Sequence, residues 1–370
     1  MKYYIIAGEA SGDLHGSNLM KSIKKIDAKA QFRIWGGDLM QAQGGQLVKH
    51  FKDLAFMGFY EVVKNLSTIL KNISFCKKDI LDYKPDCVVL IDYPGFNLRI
   101  AKFCKENGIK VYYYISPQVW AWKAGRVKGI KQTVKKMFVI LPFEEDFYKK
   151  YNYKVSFVGH PLLDAIEDFP ISNKDEFYKK YNLEKNKPII ALLPGSRKQE
   201  IAKMLKIMLS VVPTFEVYQF VVAGAPSIET SYYEKITQGK AKIVSNDTYN
   251  LLQNATAALV TSGTATLETA LFEVPEIVCY KGSRISYEIG KRLVKHISFI
   301  SLVNLIMNKE LVKELIQNEL NTKNLEQELQ LILSSEKQNE LKIGYKELKQ
   351  KLGGNGASRR TAEQILSDLI

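Results

Sequence analysis

Short runs of β-branched and aromatic residues recur along this chain, each followed by a stretch of helical periodicity. That alternation restricts the fold more than any other feature, because it calls for parallel strands joined by crossover helices. A first series comprises "YYIIA" (3–7), "QFRIW" (31–35), "CVVLI" (87–91), "VYYYI" (111–115), "MFVIL" (137–141) and "VSFVG" (155–159). A second comprises "IIALL" (189–193), "QFVVAG" (219–224), "AKIV" (241–244), "AALV" (257–260) and "EIVCY" (276–280). Between them, Ile166 to Lys187 is polar and holds one short helix, which reads as an interdomain connection. The 370 residues are too many for one ordinary core. The pattern predicts an α/β chain with Rossmann-like domains at 1–166 and 187–345. Helices are expected at 346–370. Beyond about Lys309 the sequence is polar and reads as helical to the end. "GGNGAS" (353–358) follows no strand, so it reads as a helix stop and turn.

The totals exclude several classes. A hydrophobic content of 46% with 25% charged residues suits a soluble globular protein. No apolar run reaches the roughly 18 residues of a membrane span. The short apolar start before Glu9 reads as a strand, not a signal peptide. Cys76, Cys87, Cys104 and Cys279 lack CxxC spacing and are expected as buried, reduced thiols in the cytoplasm. The net charge of +14 is uneven: residues 1–165 hold 26 Lys and Arg against 15 Asp and Glu, or +11, and residues 166–370 hold the other +3. An anionic partner for the first half fits this balance, and a lysine-rich composition alone would also give it. With no zinc finger, RRM aromatic box or arginine-rich arm, nucleic acid is not expected.

Chemistry should lie where the strands end. "AGEASGDLHG" (7–16) makes the first strand-to-helix turn from glycines, a hydroxyl and two carboxylates. A glycine-rich turn there commonly holds phosphate, but Glu9 and Asp13 would repel one. The turn reads as a seat for something with hydroxyls, presented to Glu9, Ser11, Gly12 and Asp13. "LIDYPGFNLRI" (90–100) puts Asp92 directly after an apolar run, with Asn97 as the expected helix cap, and makes Asp92 the candidate general base. In "LLPGSRKQEI" (192–201), Gly195 turns the chain, Ser196 is the expected cap, and Arg197 stands in the first helical turn. A cation at a helix start is sensible if it shares an anion with the N–H groups there. "TSGTATLETA" (261–270) offers Ser262, Gly263 and Thr264 as diphosphate donors. Glu268, one turn on, is suited to a ribose diol. "YISPQVWAWKAGR" (114–126) carries two tryptophans that suit either a sugar platform or the core, and His160 either touches a ligand or braces the hinge. Neither HExxH nor DxD occurs, so no catalytic metal is expected, and no cofactor. In "LAFMGFYEVVKNLSTIL" (54–70) the apolar residues, among them Phe56, Met57, Phe59, Val63 and Leu66, exceed one helical face. The surplus suggests membrane or acyl-chain contact, or a helix buried on two sides.

Together "GEASGDLHG", "DLAFMGFYEV", "IDYPGFN", "SPQVWAW", "VGHPLLD", "LLPGSR", "SGTATLE", and "SLVNLI" followed by "ELVKELIQ" resemble the lipid A disaccharide synthase family, in matching order from about residue 2 to 320. The resemblance implies an inverting glycosyltransferase of the GT-B class, two Rossmann-like domains facing across a crevice. The reaction implied joins UDP-2,3-diacylglucosamine to 2,3-diacylglucosamine 1-phosphate at the cytoplasmic face of the inner membrane, with the enzyme bound peripherally. The resemblance also suggests a homodimer, with the 346–370 helices packed back on the first domain or exchanged between protomers. It carries the family's essential aspartate to Asp92, its first-loop glutamate to Glu9, its GSR arginine to Arg197 and its late asparagine to Asn304. Gly95 stands where the family has a second aspartate, and Val303 where many members have proline. The residues alone leave two alternatives: a UDP-N-acetylglucosamine 2-epimerase, and a non-catalytic lipid- or nucleotide-binding protein.

Overall fold

The computed structural model describes residues 1–54, 66–122, 124–282 and 298–370. The chain forms two compact units, Met1–Ala165 with Leu352–Ile370, and Ile166–Lys351. The first unit is a seven-stranded parallel sheet of β1 (Lys2–Ala7), β2 (Gln31–Gly36), β3 (Gln46–His50), β4 (Cys87–Ile91), β5 (Lys110–Tyr114), β6 (Lys136–Val139) and β7 (Ser156–Phe157). The second is a six-stranded parallel sheet of β8 (Ile189–Leu193), β9 (Gln219–Gly224), β10 (Lys242–Ser245), β11 (Ala255–Thr261), β12 (Glu276–Tyr280) and β13 (Lys313–Ile316).

The strand orders are β3-β2-β1-β4-β5-β6-β7 and β10-β9-β8-β11-β12-β13. In each sheet the winding direction reverses beside the first strand, between β1 and β4 and between β8 and β11. Such a reversal splays two loops apart at the carboxyl ends and leaves room for a ligand. The central strands are buried on both faces, which explains their unbroken apolar runs. In β1, Tyr4 and Ile6 pack with Trp35, Val88 and Leu90 on one face, and Tyr3, Ile5 and Ala7 with Leu19, Met20 and Ile23 on the other.

Two strands escape the sequence pattern. β3 ("QLVKH") and β13 ("KELI") are short, polar edge strands without an apolar run, so the region after Lys309 is not helical throughout. The expected boundary at 345/346 falls inside the helix Ser335–Lys351, which belongs to the second unit. Only the last helix, Ala357–Leu369, returns to the first unit. Gly353, Gly354 and Gly356, at φ of +82°, +65° and +98°, make the turn that allows it. The Asp164 carboxylate then accepts the N–H groups of Gly356 (2.5 Å) and Ser358 (3.0 Å), capping the helix. Ala362, Ile365 and Leu366 join the face built by Leu19, Met20 and Ile23. All four cysteines are buried and unpaired. No helix among the described residues is long and apolar enough to cross a membrane.

A polar chain is buried behind the first sheet. Trp35 Nε1 donates to Tyr4 Oη (2.7 Å), Tyr4 donates to Asp79 (2.7 Å), and Arg33 forks onto the same carboxylate (2.5 and 2.8 Å). Asp79→Ala would orphan the Tyr4 hydroxyl and both Arg33 donors at once. Urea unfolding of that variant is expected to reveal a loss of about 3 kcal/mol, the lower end for breaking a buried pair because Arg33 keeps some contact with water.

Candidate active site

In the first unit the site loops follow β1 and β4, the strands that flank the reversal. Glu9 is the N-cap of the helix Ala10–Ile26, but its side chain makes no capping bond, so the carboxylate is not engaged in holding the helix. Two glycines let the loops close up. A Cβ on Gly12 would lie 3.0 Å from that of Ala7, and a Cβ on Gly8 would overlap the Tyr93 ring. Tyr93 therefore lies flat on the β1 loop and keeps Glu9 close to Asp92. Gly12 thus serves packing, and Ser11 is exposed at the start of the helix.

Asp13 does not face a ligand. Its buried carboxylate accepts the N–H groups of Gly37 (2.7 Å), Leu39 (3.1 Å) and Met40 (3.1 Å), fixing the start of the short helix Asp38–Ala42. An acid that near a helix N-terminus is a cap at a distance in sequence, a role no local pattern reveals.

Asp92 and Tyr93 have φ of +42° and +48°, a left-handed backbone that side chains disfavour. Two donors hold it: Tyr113 Oη (2.5 Å) and Asn97 Nδ2 (2.8 Å) converge on the Asp92 carbonyl oxygen. Asn97 is therefore not the helix cap. Tyr93 occupies that position, Pro94 begins the helix Pro94–Glu106, and Asn97 reaches back one turn to tie down the strand end. Burial, and after it the charge of Glu9, pushes the Asp92 carboxyl up to about 6, against a backbone hydrogen bond from Tyr93. A carboxylate tuned so near neutrality is suited to taking a proton. At Gly95 a Cβ would meet no described atom within 4 Å, so the start of this helix is open there.

His160 is buried, its Nδ1 accepts the Leu162 N–H (3.2 Å), and its backbone N–H donates to Leu352 O (3.0 Å). It braces the point where the chain re-enters the first unit. Trp120 packs edge-on against Phe143 at 4.9 Å. Phe56, Met57, Phe59 and Val63 lie outside the described residues. Leu54 is buried, whereas Leu66 and Leu70 are half exposed.

In the second unit the loops after β8 and β11 enclose a cavity of about 390 Å³. Gly195, Ser196, Arg197, Ser262, Gly263, Thr264 and Glu268 all line it. Gly195, at φ +104°, is in a region only glycine occupies readily. Arg197, not Ser196, is the N-cap of the helix Lys198–Met208, and its side chain makes no capping bond. Ser262 offers neither of its donors, since its N–H goes to Cys279 O (3.1 Å) and its hydroxyl to Ile300 O (3.0 Å). The backbone donors of that loop left without helical partners are instead the first N–H groups of the helix Thr264–Leu271. Glu268 is held by Tyr249 Oη (3.2 Å), and burial pushes its carboxyl up.

Asn304 is fully buried and fully bonded: it donates to Val312 O and Glu314, and accepts from the N–H groups of Leu311 and Val312. It does not line the cavity. It anchors the helix Leu302–Met307 to β13, and Glu314 in turn accepts from Ile300 and Ser301. Sequence reading missed two groups of the cavity wall, Glu200 and Thr261, whose buried hydroxyl has no hydrogen-bond partner among the described residues, and also Tyr249, which positions Glu268. Among the described residues, no group of three or more His, Cys, Asp and Glu could hold a metal ion.

The whole chain has close counterparts. The model of the lipid-A-disaccharide synthetase family matches residues 3–368. A lipid-A-disaccharide synthase of Syntrophus aciditrophicus is 40% identical over 98% of this chain and 96% of its own length. One from Geobacter metallireducens is 38% identical over 99% and 96%. A crystal structure of UDP-GlcNAc 2-epimerase from Neisseria meningitidis, bound to UDP-GlcNAc, superposes with a TM-score of 0.70 over 99% of this chain and 100% of its own, at 14% identity. That likeness is one of fold, the two-domain α/β GT-B architecture. With motif order, both reversal points and near-complete coverage in agreement, the chain belongs to the lipid-A-disaccharide synthetase family.

Proposed function

We propose that this chain transfers the sugar of UDP-2,3-diacylglucosamine to the 6-hydroxyl of 2,3-diacylglucosamine 1-phosphate, giving a β(1→6) disaccharide 1-phosphate and UDP. The observation that carries the reading is that every loop flanking the two winding reversals bears a group this chemistry needs. In the first unit these are Glu9 and Asp92. In the second they are Arg197 with the N–H groups at Thr264, and Glu268.

The donor diphosphate sits in the second unit's cavity, its charge met by Arg197 and two helix N-termini, and the ribose diol donates to Glu268. Asp92 accepts the proton from the acceptor 6-hydroxyl as that oxygen bonds the anomeric carbon. The bond from that carbon to the diphosphate oxygen breaks with its electrons on UDP, and the configuration inverts. Glu9 accepts hydrogen bonds from acceptor hydroxyls and keeps the Asp92 carboxyl high. Incubating purified protein with both substrates should yield the disaccharide 1-phosphate by mass spectrometry, with UDP appearing only when the lipid acceptor is present. Epimerisation of UDP-N-acetylglucosamine without disaccharide would overturn the assignment.

Peripheral attachment to the inner-membrane surface belongs to the same reading. It is supported by the +11 charge of residues 1–165 and by the exposed Leu66 and Leu70 at the start of the helix Leu66–Tyr83. Because these leucines are exposed, a Leu66→Ser, Leu70→Ser variant should fold normally and still bind UDP. Sedimentation with anionic phospholipid vesicles is expected to recover several-fold less of it than of the parent, roughly as burying two side chains predicts. Salt should weaken the binding of both, since only the charge attraction is screened. Unchanged sedimentation would remove this surface from the reading. A homodimer, with or without exchanged carboxyl-terminal segments, is tested by light scattering of the purified chain.

A further inference from the structure

Glu200 lies in the second unit's cavity, where the reaction as proposed calls for an anion-binding surface. Its Oε2 accepts the Ser196 N–H at 3.3 Å, and a Cβ on Gly195 would overlap the carboxylate. The carboxylate therefore lies over the bare backbone of the turn. That is the approach a glycine at φ +104° leaves open, and the backbone donor it takes is one a phosphate would use. In the same cavity Thr261 Oγ1 is buried and has no hydrogen-bond partner among the described residues, so a polar group is still to be matched there. Two carboxylates, Glu200 and Glu268, thus share a cavity with Arg197.

We propose that Glu200 is an internal substitute for the donor's phosphate. It holds the Gly195–Ser196 turn in binding shape, and a nucleoside diphosphate enters by displacing the carboxylate from the Ser196 N–H. The consequence is a tuned affinity: the turn is preorganised, and the displaced charge repels the UDP product and hastens its release. This rests on the second unit's cavity being the donor site.

The competing account is mechanical. Glu200 is the third residue of its helix, where a glutamate reaching back to the preceding backbone is half of a capping box. The two accounts differ in sign. Glu200→Gln keeps an oxygen to accept the Ser196 N–H and loses only the charge. Calorimetric titration is expected to give UDP binding about 5- to 30-fold tighter than in the parent, the size of one like-charge repulsion at a partly exposed site. Inorganic pyrophosphate should gain similarly, and uridine, which has no phosphate, should gain nothing. Glu200→Ala should also bind UDP more tightly while melting at a lower temperature. Unchanged or weaker UDP binding by both variants, with Arg197→Ala still impaired, reduces Glu200 to a helix cap and overturns the proposal alone. If Arg197→Ala also binds UDP normally, the donor-site assignment falls with it.

Discussion

An Asp92→Asn enzyme is expected to turn over about 10²–10⁴-fold more slowly than the parent, the usual contribution of a positioned base acting on a hydroxyl. Its UDP affinity should be nearly unchanged, because Asp92 belongs to the other unit from the donor cavity. The amide keeps the size of the side chain. The strained backbone is held through the carbonyl by Tyr113 and Asn97, so the turn should survive the change. The pH profile is the sharper measurement. Asp92 must be ionised to act, and its carboxyl stands at about 6, so the parent's rate should fall as the pH drops through that value. Glu9→Gln removes a negative charge that raises Asp92, so that limb should move to lower pH while turnover falls less than in Asp92→Asn. The rival assignment makes Glu9 the base and Asp92 its orienter. It would be favoured if Glu9→Gln cost more than Asp92→Asn and abolished the limb.

Arg197→Ala carries the second large effect. A charge-assisted contact to phosphate is worth about 1.5–3 kcal/mol, so UDP binding should weaken by roughly 10- to 150-fold. Arg197→Lys should restore part of this, since lysine keeps the charge and loses the fork that meets two oxygens together. Titration with UDP separates the outcomes. Parent-like affinity in the alanine variant would mean that Arg197 lines the cavity wall without contacting the diphosphate.

Much of this was legible in the residues, for identifiable reasons. Both sheets announced themselves because their central strands are buried on two faces and so are apolar without interruption. The edge strands β3 and β13 did not, because half their side chains meet water and their composition is that of a loop or helix. Of the candidate site residues, Asp92 stood out in sequence as a carboxylate directly after an apolar run, and Glu9 and Arg197 as charges in the glycine-bearing turns that follow two such runs. Asp13 and Asn304 look equally suitable in sequence, yet each saturates its bonds on backbone distant along the chain, a fact set by tertiary contact alone. Ser262 is similar, its two donors taken by Cys279 and Ile300. Glu200 was hidden for the opposite reason: a glutamate in the first turn of a helix is so ordinary that nothing singles it out.

The closing helix, Ala357–Leu369, has a consequence for the order in which the protein can be made. The first unit is interrupted by the whole of the second, residues 166–351, before its last piece emerges from the ribosome. At 5–20 residues per second that wait is roughly 10–40 s. Throughout it, Leu19, Met20 and Ile23 lack the cover that Ala362, Ile365 and Leu366 later give them, and Asp164 has no helix to cap. The second unit is continuous in sequence and meets no such delay. The half carrying Asp92 is thus begun first and finished last, and a nascent chain is open to chaperones and to misassociation for as long as the second unit takes to be synthesised.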